Sequence, residues 1–163
     1  MSSPRDPSPS DPPTASLLFD VFALNQAVGR LLGRVMAEGP LSPADYALYS
    51  AIFELEAASP TALAERLGMP LTTLVDRLRE VETRGHAHRV PNPVDRRSHL
   101  VVLTAAGQAS HAAAARLFDV ASRAVIDGLP GSEQASQAAI RRIRDAIDGA
   151  LAVSPRPSGG RVR

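Results

Sequence analysis

The chain has 163 residues, 44% of them hydrophobic, and its 18 basic and 17 acidic side chains leave a formal net charge of only +1. That length carries one domain-sized core, or a small module plus an oligomerisation element, and the charge balance excludes a generally polybasic nucleic-acid binder. The absence of Cys removes disulfides, thiolate metal sites, cysteine nucleophiles and thiol redox sensing together.

Every basic side chain is Arg, the residue that forks onto phosphates and guanine edges, although a GC-rich genome would give the same bias. No apolar run approaches the roughly 18 residues that span a bilayer, and the N-terminus lacks a signal-peptide core. A cytoplasmic protein without a membrane partner is the expectation.

Residues 1–15, MSSPRDPSPSDPPTA, are too rich in Pro, Ser and Asp to bury apolar surface, which predicts a disordered tail. Leu17, Val21, Leu24, Val28, Leu31 and Val35 then recur at helical spacing until Gly39-Pro40 stops the pattern. A second helix starts at Ser42 as N-cap with Pro43 in its first turn. Asp45 sits at the capping-box position, Leu41 and Tyr46 form a staple, and the helix is expected to reach about Ala57. Ser59-Pro60 opens a short helix ending at Gly68, and another runs from Pro70 to Thr83, closed by Gly85.

Periodicity then changes. HAHRV and HLVVLT are β-branched segments around PNPVDRRS, a hairpin signature with an arginine-bearing tip. Thr104 caps an Ala-rich helix to about Asp127, and Ser132 starts a last one with Ala139, Ile143, Ala146 and Ile147 on one face. Residues 154–163, SPRPSGGRVR, predict a second disordered, basic tail.

The order helix, helix, glycine turn, helix, hairpin is that of a winged helix-turn-helix. The predicted fold is mainly α with a small β-hairpin wing (α+β). The lobe spans 40–104; the flanking helices at 16–39 and 105–153 are too long for so small a lobe to cover and need a partner subunit, which makes them dimerisation helices. Leu63 and Leu67 find core partners in Leu74, Leu78 and Val81. With Leu74 inward, the 100° helical step turns Thr72, Asp76, Arg79 and Thr83 outward, flanked by Thr73 and Val75. That face suits a major groove. Thr hydroxyls reach bases or phosphates, Val75 meets a thymine methyl, and Arg79 forks onto guanine. Asp76 accepts from cytosine N4, clamps Arg79, or simply lowers affinity for DNA.

From Arg77 to Arg97, six Arg face only Glu80, Glu82 and Asp95, a concentration that the whole-chain charge hides. Arg96 and Arg97 at the tip are candidates for minor-groove and phosphate contact, with Asp95 orienting the wing by pairing with a neighbouring Arg.

The stretch from Leu41 to Gly107 resembles the MarR (multiple antibiotic resistance regulator) family. The resemblance rests on LAERLGMPLTTLVDRL, the RG after it, and PVDRRSHLVVLTAAG with its D-x-R wing and L-T-x-x-G. It implies a homodimer on a pseudo-palindromic operator in double-stranded DNA, usually a repressor released by a small, often aromatic and acidic, effector. Such an effector is expected where the dimer helices meet the lobe, near Arg30, Tyr46 and Tyr49.

A winged-helix protein-interaction module without sequence-specific DNA binding is the competing reading. Enzyme motifs are absent: there is no G-x-S-x-G, P-loop or G-x-G-x-x-G, and the carboxylates stand singly. His86, His88, His99 and His111 lack H-x-x-x-H or H-E-x-x-H spacing, so they read as surface or wing histidines near phosphates. No metal or other cofactor is expected.

Overall fold

The computed structural model describes residues 16–95 and 97–153; the two predicted tails and Arg96 lie outside the described residues. Six helices and one hairpin follow the expected order. They are α1 (Leu17–Val35), α2 (Pro43–Glu54), α3 (Pro60–Leu67), α4 (Leu71–Thr83), β1 (Ala87–Pro91), β2 (His99–Leu103), α5 (Ala105–Asp127) and α6 (Glu133–Val153). The chain forms two compact units that divide after Ala121.

Serines start four of the helices. The hydroxyls of Ser16, Ser42, Ser59 and Ser132 each accept from the N–H three residues on, at 3.1–3.2 Å, satisfying donors that a helix start leaves orphaned. Thr104 does the same for α5, accepting from Gly107 N–H at 3.1 Å while donating to the Gly85 carbonyl at 2.8 Å. That bond ties the start of α5 to the end of α4. Helix α4 begins with Pro70 at the N-cap and no side-chain cap. Its direction comes instead from Gly68, which ends α3 at φ 63°, a left-handed conformation that costs glycine nothing.

In the first unit the core is the winged lobe. Leu48, Tyr49 and Ile52 of α2 meet Leu63 of α3, Leu74, Leu78 and Val81 of α4, and Val101 of β2, all at 0–1% exposure. The hairpin is antiparallel, with register from Ala87 opposite Leu103 to Pro91 opposite His99.

The sequence places the end of α2 near Ala57, but the helix stops at Glu54. Ala58 pairs with Val101 as an extra rung on β2, with N–H···O bonds of 3.2 and 2.8 Å. To reach that rung the chain bends at Glu56, which takes φ 56° although it is not glycine.

Helices α2 and α5 meet through aromatic rings. His111 stacks on Tyr46 with centroids 5.3 Å apart and lies 4.9 Å from Phe53, and its Nε2 is 3.0 Å from the Ser50 hydroxyl. Burial lowers the His111 pKa from the ordinary 6.5, against an opposing pull from Glu54. The fold therefore favours the neutral ring. Its contribution to stability is full above the unfolded value and is lost as pH falls through the lower folded one. Urea midpoints measured between pH 7 and 5 are expected to fall more steeply for the wild type than for His111→Gln. Parallel curves would remove His111 from the acid response.

Helix α1 has no buried residue: Leu17, Leu18, Phe19, Phe22, Leu24 and Val28 are all exposed, and only its C-terminal end packs, through Leu32 and the following Met36. The second unit shares this trait, since α6 buries nothing and exposes Ile140, Leu151 and Val153. An apolar helical stripe left in water marks an interaction face.

Candidate nucleic-acid interface

Helix α4 sorts its side chains as the 3.6-residue period requires. Leu74, Leu78 and Val81 are buried, whereas Thr72, Thr73, Asp76, Arg79 and Thr83 are exposed and Val75 is half-buried. The outward face is thus a polar strip held rigidly by the leucines behind it. On it, Arg79 Nη1 donates to Asp76 Oδ1 at 2.9 Å. The Thr83 hydroxyl donates back to the Arg79 carbonyl at 2.7 Å, which leaves it partly engaged.

At the wing tip, Asp95 works through the backbone. Its Oδ1 accepts from the Arg97 N–H at 3.0 Å, and its carbonyl accepts from Ser98 N–H and hydroxyl at 3.0 and 3.1 Å. Asn92 closes the other side, accepting from Val94 N–H at 3.0 Å and donating to Ser98 Oγ at 2.9 Å. The tip is therefore shaped by Asx turns. Arg97 stands exposed on this turn, and Arg96, the other candidate contact, is outside the described residues.

Most other arginines of the lobe are matched. Arg66 pairs with Glu54 at 2.7 Å, Arg79 with Asp76 at 2.9 Å, and Arg89 with Glu82 at 2.7 Å. Asp45 receives both Arg84 at 3.1 Å and Arg77 at 3.8 Å, tying the first turn of α2 to α4. The hydrogen bond to Asp45 raises the Arg84 pKa further. Behind this pair, Tyr49 is wholly buried with its hydroxyl 2.9 Å from His86 Nδ1. Burial raises the Tyr49 pKa, opposed by the neighbouring Arg84 guanidinium. Among the described residues, Arg97 is the lobe arginine without a carboxylate partner.

Of the three residues expected around an effector, Tyr46 and Tyr49 share α2 and Arg30 lies on α1. Arg30 is exposed on α1 and borders a concavity with Leu31 and Arg34. Tyr46 is half-buried in the ring stack with His111 and Phe118, and Tyr49 is a core side chain. Two of the histidines also differ from expectation. His86 and His111 are half-buried and hydrogen-bonded to Tyr49 and Ser50, while His88 and His99 are exposed on the hairpin. Periodicity missed the His86 and His111 roles because their partners lie 37 and 61 residues away. Among the described residues no cluster of three or more His, Asp or Glu could hold a metal ion, and no helix is long and apolar enough to cross a membrane.

No protein-family model matches the chain, and no curated protein matches it. Solved structures do. CouR, a transcriptional repressor bound to a 23-mer DNA duplex, is 27% identical over 84% of this chain and 90% of its own, with TM-score 0.64. A mutant of MarR from E. coli, complexed with operator DNA, is 24% identical over 77% and 91%, with TM-score 0.69. The PcaV transcriptional regulator from Streptomyces coelicolor, in complex with its natural ligand, is 24% identical over 80% and 93%, with TM-score 0.71. These likenesses show that the chain has the winged-helix fold of the MarR-type regulators it resembles.

Proposed function

We propose that the chain is a homodimeric, DNA-binding transcriptional regulator, a ligand-responsive repressor that reads a pseudo-palindromic operator from the cytoplasm. Helix α4 enters the major groove with Thr72, Thr73, Val75, Asp76 and Arg79, and the wing reaches the minor groove with Arg96 and Arg97. The observation that carries this reading is the polar strip of α4, exposed along one side and braced by buried leucines on the other. CouR and MarR, each solved with DNA, support it, and PcaV with its ligand supports response to an effector. Repression follows from occlusion of the promoter by the bound dimer, and the chain has no catalytic role.

The dimer rests on the exposed apolar stripe of α1. Leu24, Val28 and Leu31, with Ile143 and Ile147 of α6, bury against the second copy.

Selection of bound sequences from a random duplex pool tests the reading. An enriched inverted repeat is the expected result, and no enrichment, with no binding at low salt, would favour the protein-interaction module instead. Arg97→Ala is expected to weaken binding to every sequence and to lower the slope of log affinity against log salt by about 1, since a lost phosphate contact releases fewer counterions. An unchanged affinity and slope would take the wing off the DNA.

A further inference from the structure

A cavity of about 410 Å³ opens between the C-terminal end of α2, β2 and the first turns of α5. That volume falls in the range of small-molecule sites. Ile52, Phe53, Val102 and Leu103 line it with hydrocarbon, and its polar groups are Glu54, Glu56 and Gln108. It contains none of the residues of the polar strip on α4 or of the wing.

The bend that makes the cavity also places its charge. Because Ala58 is pinned to Val101, the chain turns at Glu56 with φ 56°, and this turn brings Glu56 into the cavity lining. A left-handed residue is most cheaply glycine, so a glutamate there is held against its own preference. Glu54 is already neutralised by Arg66 at 2.7 Å, whereas no described cation pairs with Glu56. Phe53 is 53% exposed, a ring that an ammonium group can approach from its face. The Gln108 side-chain carbonyl adds an acceptor.

The geometry points to a binding site in this cavity for a small organic cation, an alkyl or aryl body carrying one ammonium group. The body lies on Val102 and the exposed edge of Leu103, and the ammonium group bonds to Glu56 and faces the Phe53 ring. An aromatic acid would bring its carboxylate against Glu56 and is repelled. The sign of the charge is thus opposite to that implied by the family resemblance. Nothing here depends on DNA binding, so a failure of either reading leaves the other standing.

The test uses the DNA-free, full-length protein with 2-phenylethylammonium and its matched acid, 3-phenylpropionate, followed by amide chemical-shift mapping. Saturable shifts centred on Phe53, Glu56, Val102 and Gln108 with the ammonium probe alone are expected. Glu56→Gln keeps the bend and removes the charge, and is expected to weaken the ammonium probe about tenfold, the loss of one charge-assisted hydrogen bond. Glu56→Gly relieves the left-handed residue. It is expected to melt no lower than the wild type yet bind the probe at least as weakly as Glu56→Gln. Equal binding of both probes, binding of neither, shifts centred elsewhere, or Glu56→Gln binding like the wild type would each overturn the assignment.

Discussion

Gly107→Ala is expected to destabilise the protein by about 3 kcal/mol or more, at or beyond the top of the usual range for overpacking. A Cβ built on Gly107 would stand 2.0 Å from the His86 carbonyl oxygen and 2.9 Å from its carbon. Both are backbone atoms, so no side chain can swing aside. The same carbonyl accepts from Thr104 N–H at 3.0 Å, and Thr104 caps α5 through Gly107 N–H. Moving α5 away would therefore break the cap and the tie to Gly85 together. Urea denaturation measures the effect, with the exposed neighbour Ala106→Ser expected to stay within about 0.5 kcal/mol of the wild type. Similar midpoints for Gly107→Ala and wild type would mean that α5 does not approach His86 so closely.

Val28→Asp is expected to convert the proposed dimer into monomer or aggregate. Val28 is 44% exposed in the single chain and sits on the apolar stripe of α1 with Leu24 and Leu31. A carboxylate buried in the dimer seam without a partner costs several kcal/mol, enough to lower the dimer population by orders of magnitude at micromolar protein. Light scattering coupled to size exclusion reads the mass directly. The lobe core contains no α1 residue above Leu32, so the mutant monomer should keep its helical content. A clean dimer of Val28→Asp would place the interface elsewhere.

Much of this molecule could be read before any coordinates, for reasons that lie in particular residues. Ser42, Ser59, Thr104 and Ser132 announce helix starts because capping is local, a matter of three residues. Leu74, Leu78 and Val81 announce the buried side of α4 because one helix repeats its own geometry. What escaped the sequence depends on distant chain. Helix α2 ends early because Val101 captures Ala58, and Glu56 is bent by that capture. His86 and His111 carry no local sign of the Tyr49 and Ser50 hydroxyls that await them. Asp45 looks like an ordinary capping-box residue, and its second task, receiving Arg77 and Arg84, comes from another helix. The burial of Tyr49, one of the residues expected around an effector, is of the same kind. Residue types suited to a ligand were read without the packing that sends Tyr49 into the core.

The matched arginines of the lobe have a consequence for how such a protein would search a genome. Arg66, Arg77, Arg79, Arg84 and Arg89 carry their own counterions in Glu54, Asp45, Asp76 and Glu82. A guanidinium already neutralised by a tethered carboxylate gains little when it meets a random phosphate, because it must first surrender that partner. Only a site whose base edges reward the exchange, as guanine would reward Arg79, recovers the loss. Chromosomal DNA offers about 10⁶–10⁹ competing sites, and weak retention on them leaves more of a scarce protein free for its operator. In the proposed regulator, internal charge matching would thus raise the ratio of specific to non-specific binding without adding a contact to the DNA.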